Sequence, residues 1–155
     1  MFGAHKKPLD LKLTLEITKG LDQGLRNDLM ARLEHANINV GDAAKTAAWF
    51  GRAFGWRVRW EGSTFDGAGY TMHVGNDDDY LALYEPKASK AGGERDYKSR
   101  GQLNHVGIVV DDLGVAEKAI RAEGYEPHSH QDYEPGERFY FCDENGIEYE
   151  IVAYA

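Results

Sequence analysis

Leu9, Leu11, Leu13, Leu15 and Ile17 alternate with Asp10, Lys12, Thr14 and Glu16. Strict period two is the mark of a half-buried strand, because successive side chains point to opposite faces. Leu21 to Leu33 predicts a short helix, weakened by Gly20 and Gly24, since glycine loses the most backbone freedom in a helix. A new pattern then begins and is used twice. Leu33-Glu34-His35-Ala36-Asn37-Ile38-Asn39-Val40 is matched by Leu103-Asn104-His105-Val106-Gly107-Ile108-Val109-Val110. Gly41-Asp42 leads into an amphipathic stretch ending at Phe54-Gly55-Trp56, and Asp111-Asp112 into one ending at Glu123-Gly124-Tyr125. A repeat on this scale is one supersecondary unit used twice.

The first module predicts a strand over His35 to Val40 and a helix from the N-cap Asp42 to about Phe54. Strands follow over Trp56 to Glu61, Ala68 to Val74 and Tyr80 to Tyr84, with Gly62-Ser63 and Gly75-Asn76-Asp77 as turns. A polar linker runs from Pro86 to Gly101. The second module predicts a strand over Gln102 to Val110 and a helix over Leu113 to Glu123. Its strands fall near Tyr125 to His128, Arg138 to Cys142 and Glu148 to Tyr154, the last two joined by Asp143-Glu144-Asn145-Gly146. The expected class is α+β: two βαβββ modules forming a curved mixed sheet around a cleft, plus an N-terminal strand-helix arm. The expected organisation is an arm over 1–30 and a domain over 31–155, with module one at 31–86, the linker at 87–101 and module two at 102–155.

Composition narrows the partners. Against 26 acidic residues stand 18 Lys and Arg, a formal net charge of −8, so nucleic acid and anionic membranes are poor partners. The one cysteine, Cys142, precludes an intrachain disulfide and suits a reducing compartment. No apolar run is long enough to span a bilayer. The expected location is cytoplasmic.

The chemistry lies in the repeat. His35 and His105 open equivalent strands, and Glu150 interrupts the apolar last strand on the face that also carries Glu148 and Val152. Two imidazoles and one carboxylate make a facial ligand set for one divalent ion, Fe, Mn, Zn or Ni, with positions left for substrate. The bland alternative keeps the fold and leaves both histidines and Glu150 as hydrogen-bonded strand residues. His73 and His128 read as surface strand residues. Cys142 reads as a buried, inert thiol, and Trp60 as a residue of the cleft mouth.

Leu33-Glu34-His35, Leu103-Asn104-His105-Val106-Gly107 and the closing segment Arg138 to Glu150 resemble the vicinal oxygen chelate superfamily. That superfamily groups glyoxalase I, fosfomycin-resistance thiol transferases, extradiol dioxygenases, methylmalonyl-CoA epimerases and bleomycin-binding proteins. The resemblance implies His35, His105 and Glu150 as metal ligands and Tyr140 as a catalytic cleft residue. It also implies a small-molecule substrate and a homodimer. Departures narrow it. Where glyoxalase I carries an acidic fourth ligand this chain has Ala82, and Glu85 would replace it only through a bulge. Fosfomycin enzymes carry Thr where this chain has Asn37. Extradiol enzymes use a further cleft histidine, for which His130 is the candidate.

The expected function is a small enzyme that uses one divalent ion on an oxygen-chelating substrate, with Tyr140 donating a hydrogen bond or shuttling a proton. The alternative is a metal-free protein that sequesters an antibiotic-like molecule.

Overall fold

The computed structural model describes residues 32–154 except 89, 91, 93–96, 99 and 135. By its contacts the chain divides into Met1–Leu33 and Glu34–Ala155, and all described helices and strands belong to the second. The strand expected over Leu9 to Ile17 lies outside the described residues. So does the expected helix over Leu21 to Leu33, apart from its last two residues, which are not helical.

Two βαβββ modules follow each other. In the first, β1 is His35–Asn39, α1 is Ala43–Phe54, β2 is Arg57–Ser63, β3 is Gly69–Gly75 and β4 is Tyr80–Pro86. In the second, β5 is Val106–Val109, α2 is Leu113–Ala122, β6 is His128–Tyr133, β7 is Gly136–Cys142 and β8 is Glu148–Tyr154. Each makes a four-stranded sheet of the same topology, β1-β4-β3-β2 and β5-β8-β7-β6. In each, the first strand runs parallel to the last and every other pairing is antiparallel. The repeat extends to the helix caps. Asp42 accepts from Lys45 N at 2.8 Å and Asp112 from Val115 N at 2.9 Å, each satisfying an amide that the first helical turn leaves without a partner. Helix α1 stops at Gly55, whose φ of 70° is the left-handed cap that glycine adopts at little cost.

Two strands begin several residues later than the pattern predicts: β5 starts at Val106 rather than Gln102, and β6 at His128 rather than Tyr125. β6 occupies His128–Tyr133 and is exposed throughout, so alternation of apolar and polar residues gave no signal there. Its pairing with β7 is irregular between His128 and Gln131, and Ser129 takes a φ of 54°.

Both modules share one core. Ile38, Met72, Val74, Leu81 and Leu83 of the first sheet and Ile108, Phe139, Phe141, Tyr149 and Ile151 of the second are buried in a single cluster with both helices. Trp49 of α1 links the halves. Its ring packs edge-on against Tyr125, Phe141 and Tyr149 at 5.3, 5.9 and 5.6 Å, and stacks on Phe50 at 3.8 Å. Its buried indole N–H finds no hydrogen-bond partner among the described residues, so Trp49 serves by shape. A polar link stands beside it. Asn145 of the β7–β8 turn accepts from Gly41 N at 2.8 Å, where module one passes from strand to helix. Because each sheet turns one face to this core, its other face is open. The open face of the first sheet carries His35, Asn37, His73, Tyr80 and Ala82; that of the second carries Arg138, Tyr140, Cys142, Glu148, Glu150 and Val152.

Core and surface links between the modules should differ in weight. Trp49→Ala removes a ring 1% exposed and should cost about 3–5 kcal/mol. Trp49→Phe should cost roughly 1–2 kcal/mol, because a stacking ring remains and a buried unpaired N–H disappears. Arg52→Ala breaks the bidentate but exposed pair with Glu123 and should cost less than either Trp49 variant. Urea unfolding of the three variants checks this order.

Candidate metal centre

His105 and Glu150 meet. The His105 Nε2 lies 3.0 Å from Glu150 Oε2. The other carboxylate oxygen, Oε1, accepts from Tyr140 OH at 3.0 Å and from Arg138 Nη1 at 2.9 Å. The register explains the meeting. Tyr140 is the cross-strand partner of Glu150, Gly107 pairs with Glu150 on the other side, and His105 stands two residues before Gly107 on the same face. Glu150 thus has one oxygen locked by two donors and one turned toward an imidazole. Such outer contacts orient a carboxylate ligand.

The two histidines are prepared alike. His35 Nδ1 lies 2.6 Å from Glu34 Oε2, and His105 Nδ1 lies 2.7 Å from Asn104 Oδ1. A carboxylate can only accept, so His35 donates through Nδ1, which leaves Nε2 as the nitrogen available to a metal. The hydrogen bond with His35 also holds the Glu34 carboxyl below its ordinary pKa. His105 Nδ1 faces the Asn104 amide oxygen in the same way, so Nε2 is the nitrogen turned toward Glu150.

Within one chain His35, on β1 of the first sheet, does not gather with His105 and Glu150 into a group of three ligands. It lies on the open face of the first sheet, stacked on Tyr80 at 4.9 Å and near His73 at 6.5 Å. Trp60 leans on His73 at 5.0 Å, and Arg59 lies over Tyr80 at 4.9 Å. Burial first, and the neighbouring His35 second, push the His73 pKa down. Trp60 is 51% exposed on this face.

Three alternatives weighed from the sequence can be placed. Ala82 lies on the open face opposite Asn37 and His73. Glu85 is on the other face, where its Oε2 accepts from Ala43 N at 2.9 Å at the start of α1. The register of β4 with both neighbours is unbroken, so no bulge brings Glu85 round to Ala82. His130, the candidate cleft histidine, turns away from Tyr140. Its Nε2 lies 3.2 Å from Glu117 of α2, and its ring packs on the core residue Phe139 at 5.6 Å. Cys142 corrects the expectation of a buried thiol, because it is exposed. Phe139 and Phe141 take the core face of β7, which leaves Tyr140 and Cys142 on the open face.

Arg138 is the site residue that the sequence reading passed over. Its signal was present: a charged residue two positions before Tyr140 in an otherwise aromatic strand shares the face of Tyr140. Beside it lies a hollow of about 280 Å³ lined by Gly107, Val109, Arg138, Glu150, Val152 and Tyr154.

The comparisons agree with this architecture. The family model of the Glyoxalase/Bleomycin resistance protein/Dioxygenase superfamily matches residues 32–151. The chain belongs to this superfamily. A glyoxylase/bleomycin resistance protein/dioxygenase domain from Frankia sp. EAN1pec is similar in structure, with a TM-score of 0.68 and 18% identity over 82% of this chain and 94% of that one. The E126Q mutant of the fosfomycin resistance protein FosX from Listeria monocytogenes, complexed with Mn(II) and 1S,2S-dihydroxypropylphosphonic acid, has a TM-score of 0.64 and 19% identity over 82% and 93%. FosX from Mesorhizobium loti has a TM-score of 0.62 and 18% identity over 80% and 92%. At such identities these likenesses establish the fold. No curated protein sequence matches the chain. Among the described residues, no helix is long and apolar enough to cross a membrane.

The Tyr140 phenol has its pKa raised, first by burial and then by its hydrogen bond to Glu150. A raised folded-state value means that the stabilisation is complete below the ordinary tyrosine value, about 10, and is lost as pH rises through the folded-state value. Wild type should therefore be more stable than Tyr140→Phe at about pH 8. The gap should narrow above about pH 10, as read by urea unfolding at both.

Proposed function

We propose that this protein is a divalent-metal-dependent enzyme acting on a small oxygen-chelating substrate, with each metal centre shared between two copies of the chain. His105 and Glu150 of one copy would supply two ligands, and His35 of a second copy the third. The observation that carries the reading is the opposition of His105 Nε2 and Glu150 Oε2 at 3.0 Å, with the far oxygen of Glu150 held by Tyr140 and Arg138. The donor set fits a borderline divalent ion: imidazole nitrogens and one carboxylate oxygen, the histidines oriented through Nδ1.

Where the open faces lie supports sharing. His35 and His105 occupy equivalent places on separate sheets whose inner faces are committed to one core. β1 and β5 are both edge strands, so a two-fold partner can set the first sheet of one copy beside the second sheet of the other. A bound divalent ion would act as a Lewis acid toward substrate oxygens. The chain's own residues do the rest. Tyr140, kept protonated by its raised pKa, presents a hydroxyl that can donate to the substrate or pass a proton. Arg138, 10% exposed in its side chain, holds Glu150 in place and adds positive charge beside the site. Tyr80, His73 and Trp60 would form an aromatic wall from the facing sheet.

One observation favours a second reading. Arg138, Tyr140 and His105 together satisfy Glu150 without any metal, as in a protein that binds and sequesters a small molecule. That reading expects ligand binding untouched by His35→Ala.

A mixing experiment tests the first reading. Protein purified without chelators should carry about one ion per chain at this centre, and His35→Ala and Glu150→Ala alone should each lose that ion. Mixing the two variants under conditions that exchange subunits should restore about a quarter of the metal content, because about half of the dimers become heterodimers and each of these holds one intact His35/His105/Glu150 set out of two. No recovery in a demonstrated heterodimer would rule out sharing. No metal in wild type after reconstitution would leave the sequestering account.

A further inference from the structure

A second set of ligand-type side chains converges on the open face of the second sheet. The ligand atoms of His128, Cys142 and Glu148 all lie within 4.8 Å of one another. Among the described residues this is the one such trio of histidine, cysteine and acidic groups. Three strands bring it together: His128 opens β6, Cys142 ends β7 and Glu148 opens β8. Cys142 and Glu148 are direct cross-strand partners, and His128 pairs with Tyr140, which shares a face with Cys142.

We propose that His128, Cys142 and Glu148 form a cation site for a Zn(II)-class ion, separate from the centre at His105 and Glu150. An imidazole, a thiolate and a carboxylate are the ligand types that suit zinc, and the sulfur disfavours magnesium, calcium or manganese. Around a tetrahedral ion at about 2.0–2.3 Å the ligands stand roughly 3.3–3.8 Å apart. Closing the trio from 4.8 Å therefore takes side-chain adjustments of roughly 1 Å and no movement of strands.

The surroundings point the same way. His128 Nδ1 lies 3.0 Å from Ser129 Oγ, while Nε2 lies 3.9 Å from Glu148 Oε1. An Nδ1 held by Ser129 leaves Nε2 as the ligand atom. Ser129 is also the one described non-glycine residue with positive φ, 54°, and it sits at the irregularity in the β6–β7 pairing. Such irregularities re-aim side chains near functional sites. Glu148 is 7% exposed, and its Oε1 accepts from Tyr97 OH at 2.9 Å, an outer contact that orients a carboxylate ligand. A bound cation would offset the cost of keeping this carboxylate out of water.

The two centres would be distinct. Glu148 and Glu150 are one same-face step apart on β8, about 6.6 Å at the strand rise, whereas ions bridged in a two-metal site stand about 3.5–4 Å apart. Three protein ligands leave a fourth position free on the face that carries Tyr140. A second ion there could take a donor atom of the same bound ligand.

Cobalt(II) reports the site, because zinc is spectroscopically silent and Cys142 is the only sulfur ligand of its type in the chain. Co(II) added to the purified full-length protein should give a near-ultraviolet thiolate-to-cobalt charge-transfer band, and Zn(II) should displace it. Cys142→Ser should abolish the band. His128→Ala and Glu148→Gln should weaken Zn(II) binding at least about tenfold, with circular dichroism confirming the fold. Glu150→Gln should leave the band in place, so failure of the shared centre is read separately. Absence of the band in folded wild type overturns the proposal. So does its loss in Glu150→Gln, which would mean that the thiol serves an ion at His105 and Glu150.

Discussion

The packing of Trp49 and its aromatic neighbours is the constraint on which the rest depends. Its ring leaves α1 of the first module and lodges against Tyr125, Phe141 and Tyr149 of the second. Burial of that much apolar surface outweighs any single polar contact between the modules. It also outweighs leaving the indole N–H without a partner. The consequence is geometric. Once the inner faces of both sheets are committed to one core, the candidate ligands and their polar neighbours lie on the outer faces.

That division sorts the residues of each strand by parity. On β7, Phe139 and Phe141 go inward while Arg138, Tyr140 and Cys142 go outward. On β8, Tyr149 and Ile151 go inward while Glu148 and Glu150 go outward. The outward rows lie side by side, so Arg138 and Tyr140 can both reach Glu150, and Cys142 lies beside Glu148. Polar residues inserted at alternate positions of aromatic strands are thereby concentrated on one surface, where each can be hydrogen-bonded. Glu85 shows the rule in reverse. It falls on the inner side of its strand and meets an amide at the start of α1 instead of the open face.

The repeat predicts like positions, and the structure bears this out at the level of atoms. Asp42 and Asp112 cap equivalent helices, and Glu34 and Asn104 engage equivalent histidines. Yet the open faces have diverged. The first presents His35, His73, Tyr80 and Trp60, an aromatic surface, and the second presents carboxylates, a thiol and Arg138. A site assembled from one of each is chemically complementary, since ring faces meet charged and metal-ligating groups.

The two-module plan, both helices, the Asp42 N-cap, the last strand and the turn that joins it to β7 were all legible in the sequence. They rest on local periodicity, capping chemistry and turn residues, which operate over a few positions. β6 was not legible, because a strand exposed on both sides has no alternation. The exposure of Cys142 was masked by the apolar character of β7, where the inward phenylalanines conceal which parity faces out. Tertiary structure alone decided that His35 stands on a different sheet from His105 and Glu150. Equivalence in a repeat fixes a residue's place within its module. How two modules dock is set by the interlocking of Trp49 with the second sheet, a contact between residues far apart in the chain.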